Sequence, residues 1–207
     1  MALYVPRAFA VEDRAALDAL IDEHPFATLV TPASPEPYVS HVPLLREGDS
    51  ALLGHFACAN PHARYAESAP SFAIFHGPHA YVSPTWYEDP ANAVPTWNVA
   101  TVHVHGTITC LGDGDAERIV AMLVERFEGN AAGAWRFAMQ GRARAAMIAN
   151  IQAFRLSIAS VTGKLKLSQN RGAGDRRRVI AALARSEHPE AQATATWMQR
   201  FAAPDDA

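Results

Sequence analysis

Cysteine is scarce. Cys58 and Cys110 are the only two in 207 residues, and they stand far apart with no metal-type spacing. Neither a disulfide framework nor a cysteine-based zinc site can therefore organise the chain, and reduced structural thiols are expected. No apolar run approaches the roughly 20 residues that a bilayer span needs. Met1–Pro6 lacks the basic-then-apolar pattern of a secretory leader, so the expected location is the cytoplasm. Positive charge is in short supply: the formal net charge is −3, and Arg176-Arg177-Arg178 is the one basic run. Phosphate backbones are held by clustered Lys and Arg, so the charge makes no case for nucleic acid, and that run reads as a solvated helix start. A nucleophilic-serine elbow, a phosphate loop and a zinc motif are all missing, so nothing identifies a nucleophile. Internal repeats and low-complexity segments are missing too.

What is present is a hydrophobic fraction of 49%, enough for one large domain or a domain with an appendage. The stretch Tyr81–Gly106 stands out. Val-Ser-Pro-Thr-Trp-Tyr and Val-Pro-Thr-Trp-Asn flank a polar turn and run into a long β-branched segment. Pro84 and Pro95 should interrupt sheet pairing and leave a rigid loop bearing Trp86, Tyr87 and Trp97. Such aromatics suit a flat ligand, a subunit interface, or two anchors closing a core loop. Hydrophobic periodicity predicts a helix over 12–23, a strand over 26–31, and a hairpin of 38–45 with 51–57. Strands follow at 71–76 and 80–83, parted by Gly77-Pro78, and at 96–111. A helix capped by Asp115 and an Ala-rich helix over 134–150 come next, then a strand over 154–160, with one or two helices after 175 broken near His188-Pro189. Short strands with helices inserted between them predict a mainly β fold with helical additions, a barrel rather than a βαβ fold. The expected organisation is a barrel domain over 1–171 and a helical appendage over 172–207.

Candidate chemistry gathers in four places. Asn60-Pro61-His62-Ala63-Arg64 reads as a capped helix start, which is either an anion site completed by Arg64 or His62 or a structural cap. His103 and His105 share one strand face, but no carboxylate or cysteine accompanies them at ligand spacing. His41 and His55 could meet across the predicted hairpin, with Pro43 freeing a ligand edge or protecting a sheet edge. Gly163-Lys-Leu-Lys-Leu-Ser-Gln-Asn-Arg concentrates donors and acceptors: Gln169 and Asn170 suit a heterocycle and Arg171 a phosphate, or the run is a solvated turn.

Leu-Tyr-Val-Pro-Arg-Ala-Phe at the N-terminus, Val-Ser-Pro-Thr-Trp-Tyr, Val-Pro-Thr-Trp-Asn and Gly-Lys-Leu-Lys-Leu-Ser-Gln-Asn-Arg occur together and in this order. In these motifs the chain resembles the PaiB family, over residues 1–203. Val99 departs from the tyrosine common in the family at that place. The resemblance implies an FMN-binding split β-barrel, homodimeric, acting as a negative transcriptional regulator without a defined turnover. It implies that His41, Val42, Pro43, His55, Phe56 and Ala57 line the flavin and that Asn60, His62 and Arg64 approach its phosphate. Asn98, Lys166 and Gln169 would come from the partner subunit or the barrel mouth. The alternatives are an FMN-dependent oxidoreductase related to pyridoxamine-phosphate oxidases, whose substrate-binding arginines have no clear counterpart here, and a haem-binding relative using His41, His55 or His103. DNA, as a partner of the regulator, has only the Arg176–Arg178 run to rest on.

Overall fold

The computed structural model describes residues 3–129 and 131–201. Contacts divide the chain into two units. One gathers the N-terminal segment to Glu23, His76–Val102 and the chain from Thr162 onward; the other holds His24–Phe75 and His103–Val161. The boundary expected at 171/172 falls inside the first of these.

In the first unit a short strand β1 (Ala10–Val11) leads into helix α1 (Arg14–Glu23). Leu17, Leu20 and Ile21, at helical spacing, are its buried stripe, and the Asp13 carboxylate accepts a hydrogen bond from the Ala15 amide at its start. The helix lies close on the sheet because two positions beneath it carry no side chain. A Cβ on Gly163 would sit 2.0 Å from Leu17 Cδ2, and one on Gly77 would sit 3.1 Å from Leu20 Cδ1. β1 pairs antiparallel with the end of a long strand, Ala10 opposite Lys164 and Val11 opposite Gly163. Helices α5 (Ala173–Ala184) and α6 (Pro189–Arg200) pack together, burying Val179 and Leu183 from one and Ala191, Ala195 and Met198 from the other.

The second unit contains β2 (Phe26–Thr31), β3 (Tyr38–Pro43), β4 (Leu45–Glu47), β5 (Ala51–Ala57), α2 (Pro61–Tyr65), α3 (Asp113–Glu128) and α4 (Gly141–Ile148). Strands β6 (Pro70–Val82), β7 (Thr96–Cys110) and β8 (Ile151–Lys166) each begin in one unit and end in the other. The strand order is β3-β2-β6-β7-β8-β5-β4, with β1 added at β8. β3, at one end of this order, approaches β5, near the other, so the antiparallel sheet of this unit curls. α3 covers one face: Ile119 and Leu123 meet Leu45, Leu53, Ile148 and Ala153 in a single apolar cluster. Among the described residues no helix is long and apolar enough to cross a membrane.

The architecture is mixed α/β rather than mainly β, since helices hold nearly as many residues as strands. The predicted break at Gly77-Pro78 does not occur. β6 pairs with β2 only through Phe72, Ala73 and Ile74, so Pro78 lies past that ladder and its missing amide leaves no β2 partner unpaired. The predicted hairpin of 38–45 with 51–57 is two separate pairings: β3 pairs with β2, and β5 pairs with β4 and β8. The Ala-rich helix shortens to Gly141–Ile148 because Gly141 sits at φ 60, a left-handed conformation through which a right-handed helix cannot run from the residues before it.

Glycine positions give a direct test of this packing. A Cβ on Gly106 would lie 2.2 Å from the Ser157 carbonyl oxygen, a backbone atom that cannot swing aside. Gly106→Ala should cost about 1–3 kcal/mol in urea unfolding. Gly174→Ala, inside α5 with nothing closer than Glu88 at 3.6 Å, should instead gain up to about 1 kcal/mol.

Candidate functional site

The turn after β5 folds as its residue types dictate. Asn60 takes an extended conformation and accepts the His62 amide on Oδ1, while Pro61 occupies the first helical position. The Ala63 amide bonds the Asn60 carbonyl. The cap thus satisfies the first amides of α2 from within the chain.

Its side chain continues inward. Asn60 Nδ2 donates to Ser40 Oγ at 2.9 Å, and Ser40 Oγ lies 2.9 Å from His62 Nδ1. On the other side of the ring, His62 Nε2 is 2.7 Å from Thr31 Oγ1, which is 2.6 Å from Ser71 Oγ. Ser71 ends the chain by donating to the Ala69 carbonyl at 3.3 Å. Because Ser71 gives its proton to a carbonyl, Thr31 must donate to Ser71, so His62 Nε2–H must donate to Thr31. Ser40, already accepting from Asn60, donates to Nδ1. His62 is therefore the neutral Nε2–H tautomer. Burial acts in the same direction and pushes its pKa down to about 4. The ring is 1% exposed and packs against Phe56 at 4.8 Å and Tyr38 at 5.8 Å.

Asn60 and His62 thus face into a closed network, and at neutral pH His62 carries no charge. Arg64 points the other way. It is exposed and has no polar partner among the described residues.

On β3, Val42 is buried and Pro43 half-buried, while His41 is exposed, 3.2 Å from Thr28 Oγ1 and stacked 6.5 Å from Phe26. On β5, Phe56 is fully buried and Ala57 exposed. His55 is half-buried. Its Nδ1 is buried and has no hydrogen-bond partner among the described residues, and burial lowers its pKa. His41 and His55 belong to different hairpins, β2–β3 and β4–β5.

The remaining expected residues lie in the first unit, close to one another. Asn98, 1% exposed, donates through Nδ2 to Ser168 Oγ at 3.0 Å and to Met198 Sδ at 3.3 Å. Ser168 adopts φ 67, a strained conformation for a residue with a side chain. Lys166 Nζ donates to Thr96 Oγ1 and, at 2.6 Å, to the Trp97 carbonyl. Burial, then the charges of Lys164 and Arg171, pull its pKa down. Gln169 bridges its own turn, accepting from the Leu167 amide and donating to the Leu165 carbonyl. Of the loop aromatics, Tyr87 is buried with Arg171 stacked 4.4 Å above it, whereas Trp97 is 53% exposed. In the Arg run, Arg178 pairs with Glu88 at 2.9 Å and Arg176 donates to the Arg171 carbonyl. Nothing in the sequence marks Thr31, Ser40 and Ser71 as a group. Lone hydroxyl residues carry no spacing signal, and only the fold makes them neighbours.

The family model described as "Putative FMN-binding domain" matches residues 3–160. The chain belongs to this FMN-binding family. It is 29% identical over 203 residues to "Protease synthase and sporulation protein PAI 2" of Bacillus subtilis, covering 95% of this chain and 97% of that one. Among solved structures, the flavocytochrome Anf3 from Azotobacter vinelandii aligns with a TM-score of 0.62 at 18% identity, over 78% of this chain and 72% of its own. The FAD and heme binding protein from Mycobacterium smegmatis aligns at 0.59 and 20%, over 76% and 73%. These two likenesses are of fold, and they agree with the split-barrel architecture of the family.

The tautomer makes stability depend on pH. His62 has a folded pKa of about 4 against an ordinary 6.5, so between those values the unfolded chain binds more protons than the folded one. The contribution is complete above pH 6.5 and is lost as pH falls toward 4. The urea midpoint of the wild type should fall through that window. His62→Gln should start lower at pH 7, because Thr31 and Ser40 lose a partner, and should fall less steeply, the remainder coming from His55 and, at the acid end, from Glu47 and Glu67. Parallel pH curves for the two proteins would contradict the assignment.

Proposed function

We propose that this chain is a cytoplasmic flavoprotein that holds FMN and uses it for redox chemistry. The observation that carries the reading is His55 Nδ1, a buried polar atom with no partner among the described residues, while the hydrogen bonds of the network around His62 are all made. A neutral imidazole nitrogen can donate to or accept from the polar edge of an isoalloxazine ring. His41, Val42, Pro43, His55, Phe56 and Ala57 are the proposed ring-side residues. Arg64, exposed and unpaired, is the group available to a phosphate, with Asn60 and His62 fixing the turn that carries it. Asn98, Lys166 and Gln169 are proposed to complete the site from a second copy of the chain. Phe26 at 64%, Val39 at 51% and Tyr65 at 58% exposure give the second unit apolar surface of the kind a partner copy covers.

Bound FMN would supply hydride or single-electron transfer, which no side chain can provide. The chain's own part is to bind, orient and keep water from the ring. No side chain is assigned a catalytic role.

A second reading, a negative transcriptional regulator of the PaiB type, is supported by the similarity to PAI 2 along 95% of the chain. It fits the same flavin site, with FMN as the sensing group. Direct DNA contact is the weakest part of it, since Arg176 and Arg178 are already engaged within the unit. The haem alternative would use His41, His55 or His103 as the axial ligand.

Titrating FMN and riboflavin into wild type and Arg64→Ala, followed by visible absorbance, tests the site. FMN should bind the variant about 10-fold more weakly, the loss of one charged hydrogen bond, and riboflavin should not distinguish the two proteins. Equal losses for both flavins would mean that Arg64 acts through folding. A wild type that binds neither flavin would remove the reading, and a Soret band in its place would support the haem alternative.

A further inference from the structure

Beyond the residues that the flavin reading uses, the first unit contains an open cleft of about 840 Å³, within the size range of small-molecule sites. β6 and β7 supply one wall. Strand alternation turns His79 and Tyr81 outward on β6 and Trp97 outward on β7. Tyr81 and Trp97 stand edge to face, 6.1 Å apart at 73°, and form an aromatic corner. Trp86 joins them from the short turn Pro84–Trp86, whose start is capped by Ser83 Oγ. The opposite wall is the α5–α6 corner, with Leu183, Arg185 and the first turn of α6. This helical wall lies beyond residue 160, where the family match ends.

The charges lining the cleft decide its preference. Glu190, in the first turn of α6, faces the positive end of that helix and lies 3.8 Å from His79 Nδ1. Arg185 lines the cleft with no polar partner among the described residues. The α6 N-terminus faces the same space, and His188, its N-cap, makes no side-chain cap bond. The Ala191 and Gln192 amides bond the His188 carbonyl, so the Arg185 guanidinium is the charge left unmatched. Indole and phenol rings offer stacking surface to a planar ligand. We infer that this cleft binds a small planar aromatic acid: the rings pack against Trp86, Trp97 and Tyr81, and the carboxylate faces Arg185. Neither the redox nor the regulatory reading assigns this site, and it stands independently of FMN.

Calorimetric titration with naphthoate, neutral naphthamide and cationic naphthylmethylammonium tests it, on the chain alone and again with saturating FMN. Naphthoate should bind under both conditions, about fivefold more tightly than naphthamide, the preference expected of one exposed charge pair. The cation should bind most weakly. Arg185→Gln should abolish the preference for naphthoate without changing naphthamide affinity, and Trp97→Ala should weaken all three probes. Arg185→Gln should leave FMN affinity unchanged. The inference is overturned if naphthoate fails to bind, if the cation binds as well as the acid, or if Arg185→Gln leaves naphthoate unaffected. It is also overturned if Arg185→Gln weakens FMN and naphthoate together, because the cleft would then be the flavin site itself. FMN failing to bind while naphthoate binds would remove the flavin reading and leave this one standing.

Discussion

One imidazole holds four elements of the second unit together. His62 is tied to Thr31 on β2 and Ser40 on β3, through Thr31 to Ser71 on β6, and through Ser40 to the cap of its own helix. Each of these hydroxyls is buried, and each would cost free energy if left unpaired. With Ser71 donating to the Ala69 carbonyl the relay runs through a neutral ring whose proton sits on Nε2, and the surrounding Phe56 and Tyr38 keep the ring neutral by excluding water. Burial and hydrogen bonding therefore select the same protonation state. A small polar network with every bond made fixes one geometry, where a purely apolar contact of the same area would allow several.

That geometry sets what is left over. Asn60 is spent on its helix and on Ser40, so α2 presents Arg64 to solvent as its only cation without a described partner. On the neighbouring strand His55 Nδ1 is left without one. The first unit shows the same economy of polar groups. Asn98 and Ser168 bond each other in both directions, and Lys166 braces the start of β7, so these side chains hold a strained turn in place. If a second copy of the chain completes a flavin site, it does so with groups already positioned by such bonds. Pre-positioned groups lose little further entropy when a ligand arrives.

Much of the fold was legible in the sequence because periodicity reports burial directly. The stripe of Leu17, Leu20 and Ile21 marked α1, alternation marked β2, and Asn60-Pro61 marked the start of α2. Pro78 misled because its cost depends on whether a neighbouring strand needs the amide, which is a fact of pairing. Tyr38–Leu45 and Ala51–Ala57 misled for the same reason: alternation identifies strands but not their partners, and Leu45–Glu47 takes the place beside β5. Of the expected site residues, Asn60 and His62 were picked for their proximity to an anion, and their distant partners, Ser40 and Thr31, turn them inward. Trp97 and Tyr87 read alike in sequence as proline-led aromatics, yet one is buried under Arg171 and the other exposed.

Imidazole nitrogen NMR across pH, with and without FMN, is the most direct measurement of whether a closed His62 network stands beside an open His55. His62 should show the neutral Nε2–H pattern at pH 7 and hold it down to about pH 5, well below an ordinary histidine, in the presence or absence of FMN. His55 should be neutral without FMN, and its nitrogens should shift when FMN is added. A His62 that titrates near 6.5 or carries its proton on Nδ1 would contradict the network. FMN that saturates the protein without moving the His55 nitrogens would contradict the proposed site.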